Sequence, residues 1–332
     1  MDRGQEEIHF IGLLGIFIES LSIITSWRKV FTRIVVIIIL PLSIIFLAHV
    51  QISELLFSEI LRNQDVLDQT RVDTEKYVDL LDMISSEWFV FWVFKILYFV
   101  FFLLLSLLST SAVVYTIACL YTSKEMPSFY ELMTSVVPRV WKRLVVTFLW
   151  NFVIVFMYNV VAIIVFILSG FFVSLKAVGF VILFFIALLY LTGFVYINII
   201  WHLASVVSVL EDVYGIQAMI KSKGLIKGKL RVAGIIFLTL NLFFVGIQIT
   251  YQQYVVAEDS LWCKMLLGML YLSLLVILIL LGLVIQTVFY FICKSYHHET
   301  INKLSLMDHL EAYLGHYVPL DSNDVQLEKL HV

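Results

Sequence analysis

Six separate apolar stretches dominate this chain: residues 34–52, 88–121, 144–169, 177–210, 232–252 and 265–293. A helix rises about 1.5 Å per residue and a bilayer's hydrocarbon core is about 30 Å thick, so roughly 20 apolar residues suffice to cross it. Inside that core every backbone N–H and C=O must find a partner within the protein, which leaves helices and closed barrels as the spanning structures. Barrel strands alternate in polarity, whereas Ile34–Leu40 and Leu274–Leu281 are apolar without a break. Hydrophobic residues make up 61% of the chain and charged residues 14%, against the roughly 25% that a water-soluble surface uses. The expected fold class is therefore an all-α integral membrane protein with six transmembrane helices.

Lys and Arg between the stretches set the orientation, because cytoplasmic loops are enriched in them. Sixteen of the 22 fall on one side, five on the other, and Lys95 lies inside the second stretch. Both termini are expected in the cytoplasm. This divides the chain into a cytoplasmic amphipathic segment 1–33, a six-helix membrane domain 34–293 and a cytoplasmic tail 294–332. The loop 53–87 then faces the lumen or exterior and carries nine acids against three basic residues. Its apolar residues Leu56, Ile60 and Leu67, then Tyr77, Leu80, Leu81 and Ile84, recur at helical spacing, which predicts two short helices packed over the membrane surface. The acids lack the central-glycine pattern of a calcium loop and read as a solvated face.

A pattern recurs before each odd-numbered stretch. Trp27-Arg28-Lys29 with Arg33 leads into Ile34; Arg139, Trp141, Lys142 and Arg143 lead into Leu144; Lys227, Lys229 and Arg231 lead into Val232. Upstream lie the mixed segments Ile8–Ile24, Phe129–Val137 and Tyr214–Lys221. Amphipathic helices lie in the headgroup plane, Trp anchors at that depth, and each cation near an anionic surface contributes about 1 kcal/mol. Three two-helix units are predicted, each led by a cytoplasmic surface helix, with anionic headgroups as the expected partners of these basic residues. The returning helices at 88–121 and 177–210 would run about 50 Å, so they must tilt, bend or project; Ser109-Thr110-Ser111 offers a place to bend.

Polar groups within the stretches are the places to look for chemistry. Lys95 is expected to snorkel toward the interface, and Asn151, Asn159, Asn198, Asn241, Gln248 and Gln286 to hydrogen-bond between helices. His202 and Glu211 are too far apart along one helix to pair directly. His297-His298-Glu299 lacks the spacing of a metal site, and no nucleophile elbow, P-loop or dinucleotide fingerprint is present. No catalytic residue, metal, cofactor or nucleic-acid partner is expected. Cys119 and Cys293 sit near cytoplasmic helix ends, where palmitoylation can occur, but read as buried thiols; Cys263 completes a set of three that makes no disulfide framework.

The stretch from Val209 to Gly228 resembles a segment of six-helix bacterial membrane families, including the membrane domain fused to some glycerophosphodiester phosphodiesterases. Glu211, Gly215, Ala218, Ser222 and Lys227-Gly228 match that pattern's acid at a helix end, small residues and basic-glycine close. The chain as a whole resembles a plant family of uncharacterised six-helix transmembrane proteins. The resemblance implies a six-helix domain with cytoplasmic termini; it does not imply diester hydrolysis, which belongs to the soluble catalytic domain of the fusions. Ser222 and Gly228 are expected to allow close backbone approach.

The functional expectation is a non-enzymatic membrane component that organises lipid, or assists other membrane proteins, through its basic cytoplasmic helices. A small-solute or lipid transporter is the alternative, although the mitochondrial-carrier signature is missing around Pro41. An intramembrane lipid enzyme is the third, and it requires His202 and Glu211 to converge with Asn198 or Lys95. With no cleavable signal peptide, retention signal or glycosylation acceptor evident, the endoplasmic reticulum, another endomembrane or the plasma membrane is a default placement.

Overall fold

Every described element is a helix, and the chain is a multi-pass membrane protein built on six long apolar ones. The computed structural model describes residues 12–70, 74–122, 130, 137–172, 177–256 and 260–297. In chain order the helices are α1 Leu13–Ser26, α2 Arg28–Asp68, α3 Glu75–Thr122, α4 Val137–Phe172, α5 Ala177–Leu210, α6 Ile216–Ile226, α7 Leu230–Val256 and α8 Leu261–Tyr296. The helices α2, α3, α4, α5, α7 and α8 contain the six apolar stretches. Two of the three expected leading helices are present as α1 and α6; of the expected Phe129–Val137 segment only Tyr130 and Val137 are described, and the tail from His298 onward lies outside the described residues.

A π-turn over Val35–Ile39 interrupts α2 just before Pro41. Proline supplies no N–H and its ring collides with the carbonyl four residues back, here Ile37. Widening the turn accommodates both without ending the helix. In α3, by contrast, helix runs from Glu75 to Thr122 without a break at Ser109-Thr110-Ser111. Those hydroxyls donate to the carbonyls of Ser106 and Leu108 within the helix and are buried. Their back-bonding leaves them small and matched in a closely packed part of the bundle.

The loop 53–87 is not a pair of separate surface helices. Its two halves continue α2 and α3 beyond the apolar stretches as one antiparallel hairpin. The expected helical spacing is present, but the apolar residues cover one another rather than the membrane surface. Ile60 and Ile84 are buried, Phe57 lies against Trp88 and Phe91, and Asn63 donates to Glu87 at 2.6 Å.

Packing is uneven along the bundle. At the end where odd spans start and even spans finish, Ala112–Cys119 of α3, Val206–Leu210 of α5 and Ile285, Thr287, Val288 and Tyr290 of α8 are almost fully enclosed. The Thr287 hydroxyl donates to the Leu283 carbonyl of its own helix at 2.8 Å, so its burial leaves no donor unmatched. Ile16 and Ile23 of α1, Phe31 and Ile34 of α2, Leu144 of α4 and Leu225 and Ile226 of α6 complete this core. Small residues (Ser109, Ser111, Ala112, Ala118, Ala204, Ser208) let the backbones approach, which matters in lipid, where packing rather than the hydrophobic effect joins helices. Away from this end, the most apolar windows of α4 and α5 contain no buried residue. These two helices hold each other through Tyr158, which donates to the Tyr190 carbonyl, and Tyr190, which donates to Asn159. A smaller cluster of Leu47, Val50, Tyr251, Val255 and Leu275 ties α2, α7 and α8 together toward the opposite, acidic end.

Candidate functional site

The densest polar constellation lies where α5 ends. The chain reverses sharply through residues 211–215, and α6 then packs against the last turns of α5. Gly215 makes the reversal possible. Its φ of +64° and ψ of −135° lie in a region that only glycine enters at low cost. A Cβ there would also meet the Trp150 ring at 3.0 Å. The Gly215 N–H donates to Thr147 Oγ1 at 2.8 Å, and Thr147 shares a second 2.8 Å hydrogen bond with Ser208. Thus α4 grips both sides of the turn.

Ser222 is fully buried on the inner face of α6 and donates to the Ile200 carbonyl at 2.8 Å. Ile200 lies ten residues before the end of α5, about 15 Å back along the helix. The expected amphipathic helix is present as α6: Ala218, Met219, Ser222, Leu225 and Ile226 pack against protein, while Ile216 and Ile220 stay exposed. In α1, Ile16, Ser20 and Ile23 likewise face inward, toward α8, while Leu14, Ile18 and Leu21 stay exposed.

Glu211 is the hub. Its carboxylate accepts from Lys221 on α6, from Lys294 at 2.9 Å and from the Tyr290 hydroxyl at 2.6 Å, both on α8. Arg143 of α4 pairs with Asp212 at 3.0 Å and donates to the Glu211 carbonyl at 3.4 Å. Four helices therefore meet at two adjacent acids. Burial alone pushes the Glu211 carboxyl upward, but the hydrogen bonds from Lys221, Tyr290 and Lys294 outweigh it and hold the group below its ordinary value. At neutral pH the hub is an ionised carboxylate with charge-assisted hydrogen bonds.

The exit turn of α6 closes at Gly228, with φ +95°, where a Cβ would meet the Tyr296 ring at 2.7 Å. Lys229 lies over the same ring, 5.1 Å from its centroid, and His297 reaches the Leu225 carbonyl at 3.1 Å. Glu211, Gly215, Ser222 and Gly228 are thus the hub, the reversal, the inner anchor and the exit of one folded-back helix.

The expected headgroup-binding residues divide into two sets. Trp27, Arg28, Lys29, Arg33, Lys142, Lys227 and Arg231 are exposed where α2, α4 and α7 begin. Arg143 turns inward to Asp212, and Lys229 is half-buried against Tyr296. Trp141 is also half-buried, and its ring N–H has no partner among the described residues. The Arg139 side chain lies outside the described residues.

His202, Glu211 and Lys95 do not converge. His202 pairs with Gln286 at 3.2 Å, and Asn198 bonds back to the Phe194 carbonyl of its own helix. Lys95, expected to snorkel toward the interface, bonds to His49 and Ser53 on α2, at the end of the span where the acidic hairpin begins. Of the intramembrane amides, Asn159 and Gln286 bond between helices, whereas Asn241 turns back to the Phe237 carbonyl. Sequence reasoning missed Tyr290 and Lys294 as partners of Glu211, because 79 and 83 residues separate them. Cys119 and Cys293 are buried and Cys263 is exposed.

The chain belongs to the family described as DUF8558, a domain of unknown function, whose model matches residues 1–330. No curated protein and no solved structure matches it.

Proposed function

We propose that this protein is a non-enzymatic membrane component that gathers anionic lipid at its basic end, and through that lipid layer organises the membrane or assists neighbouring membrane proteins. The observation that carries this reading is the division of the cations. Arg143, Lys221 and Lys294 are engaged by Glu211 and Asp212, whereas Arg28, Lys29, Arg33, Lys142, Lys227 and Arg231 remain exposed at the starts of three spans. Exposed cations at membrane entry attract anionic headgroups at about 1 kcal/mol each. The same bias supports a cytoplasmic basic end and an acidic hairpin in the lumen or exterior, in an endomembrane or the plasma membrane. The resemblance to six-helix plant and bacterial membrane families fits this arrangement.

The test is lipid mass spectrometry on the gently solubilised full chain beside a Lys227→Gln/Arg231→Gln variant. Lys229 is left intact because it also packs on Tyr296. Loss of co-purifying anionic lipid in the variant supports the proposal; an unchanged lipid profile overturns it. A non-lipid solute retained by both forms would favour the transporter reading.

A further inference from the structure

The second polar cluster lies near the opposite end of the bundle and has a different character. Lys95 of α3 is half-buried and donates to Ser53 Oγ at 2.8 Å, with His49 Nε2 at 2.9 Å, both on α2. The His49 ring stacks on Tyr98, with centroids 3.6 Å apart, and lies near Phe94 at 5.8 Å; Lys95 sits 5.0 Å from the Phe91 centroid. The side chains are thereby held in place on an aromatic floor.

Depth follows from the neighbouring rings. Phe57, Trp88, Phe91 and Trp92 form a contiguous aromatic group of the kind that marks headgroup level. Lys95 is three residues past Trp92 and seven past Trp88, about 4.5 to 10 Å deeper along the helix. It lies where headgroup gives way to acyl chain. A lysine has three donors, and two are used. Among the described residues no carboxylate lies within 4.0 Å of its ammonium. A cation at this depth is costly without an anionic partner, and the protein here supplies a histidine and a hydroxyl instead.

We propose that Lys95, with Ser53 and His49, forms a site for the oxyanion of a membrane lipid in the acidic-end leaflet: a fatty-acid carboxylate or a lipid phosphate. Exposed Phe99, one turn deeper than Lys95 on the same face of α3, and Ile96 beside it give the attached chain a surface to follow. This site is separate from the basic-end cations, and either proposal can fail without the other.

The experiment is ligand-induced thermal stabilisation of the purified full chain in neutral detergent. Oleate, dioleoyl phosphatidate, dioleoyl phosphatidylcholine and inorganic phosphate are the probes, with wild type, Lys95→Met, Ser53→Ala and Lys227→Gln/Arg231→Gln as proteins. Oleate or phosphatidate is expected to raise the wild-type Tm, and the basic-end variant is expected to keep the part of that rise that Lys95→Met removes. Lys95→Met should bind about tenfold more weakly or worse, having lost a charge-assisted hydrogen bond. Ser53→Ala, which keeps the charge, should lose less and guards against misfolding of the lysine variant. Response to oleate alone assigns a carboxylate, response to phosphatidate alone assigns a phosphate, and both support the site. Equal stabilisation of wild type and Lys95→Met, or stabilisation by inorganic phosphate without either acidic lipid, overturns the proposal.

Discussion

Glu211→Ala is the sharpest perturbation of the basic end. The substitution leaves the Lys221 and Lys294 ammoniums facing one another and the Tyr290 hydroxyl without its acceptor. Breaking a fully buried ion pair costs about 3–5 kcal/mol, whereas exposed pairs contribute about 0–1 kcal/mol. The side chains here are 12% exposed for Glu211, 20% for Lys294 and 35% for Lys221. That places the cost between the limits, at about 2–3 kcal/mol. At roughly 2–4 °C per kcal/mol, the Tm should fall by about 4–12 °C. Glu211→Gln keeps an acceptor for Tyr290 and should lose less. The pH dependence has a defined sign. Because the folded carboxyl sits below its ordinary value of 4.5, its contribution is fully present above that value and disappears as pH falls through the folded one. The Tm gap between wild type and Glu211→Gln should therefore be constant near neutrality and close in acid. Thermal unfolding of the detergent-solubilised protein by size-exclusion fluorescence measures both. A Glu211→Ala protein with wild-type Tm would refute the hub.

Gly215→Ala should cost about 1–3 kcal/mol through backbone strain, and Trp150→Ala should not restore it, since the φ angle remains. Ser222→Ala should cost about 1 kcal/mol, the value of one buried hydrogen bond, read from the same thermal assay. A membrane-impermeant maleimide should label Cys263 in the folded protein and leave Cys119 and Cys293 unreacted until denaturation; labelling of Cys119 before unfolding would contradict the tight packing of the basic end.

The membrane class, the spans and the basic ends of the odd helices were legible because each rests on a local property: apolar length or charge between stretches. The acidic hairpin shows the limit. Its period is readable from Leu56, Ile60, Tyr77 and Ile84, yet period does not say whether an apolar face meets lipid or a partner helix. The motif from Glu211 to Gly228 is visible as an unusual run of residue types, but its partners Thr147, Tyr290 and Lys294 come from α4 and α8, and no local pattern points to them. Lys95 shows the same limit: its position near the span's end is readable from the sequence, but its partners His49 and Ser53 come from α2, and no local pattern points to them.

The folded-back α6 couples the two halves of the basic end. Glu211 fixes where α6 starts, Ser222 fixes its depth along α5, and Gly228 turns the chain directly into Lys229, Leu230 and Arg231. The position of Lys227 and Arg231 on the bundle is therefore set by a buried network rather than by their own segment. If these cations gather anionic lipid, Glu211→Ala and Gly228→Ala should weaken that lipid retention without touching a lipid-facing charge. Lys223→Gln, an exposed change on α6 itself, should weaken it less than Lys227→Gln/Arg231→Gln. Lipid retention that tracks only the count of exposed cations, and ignores Glu211, would mean that the surface charges act as an unstructured cloud and that the reversal serves stability alone.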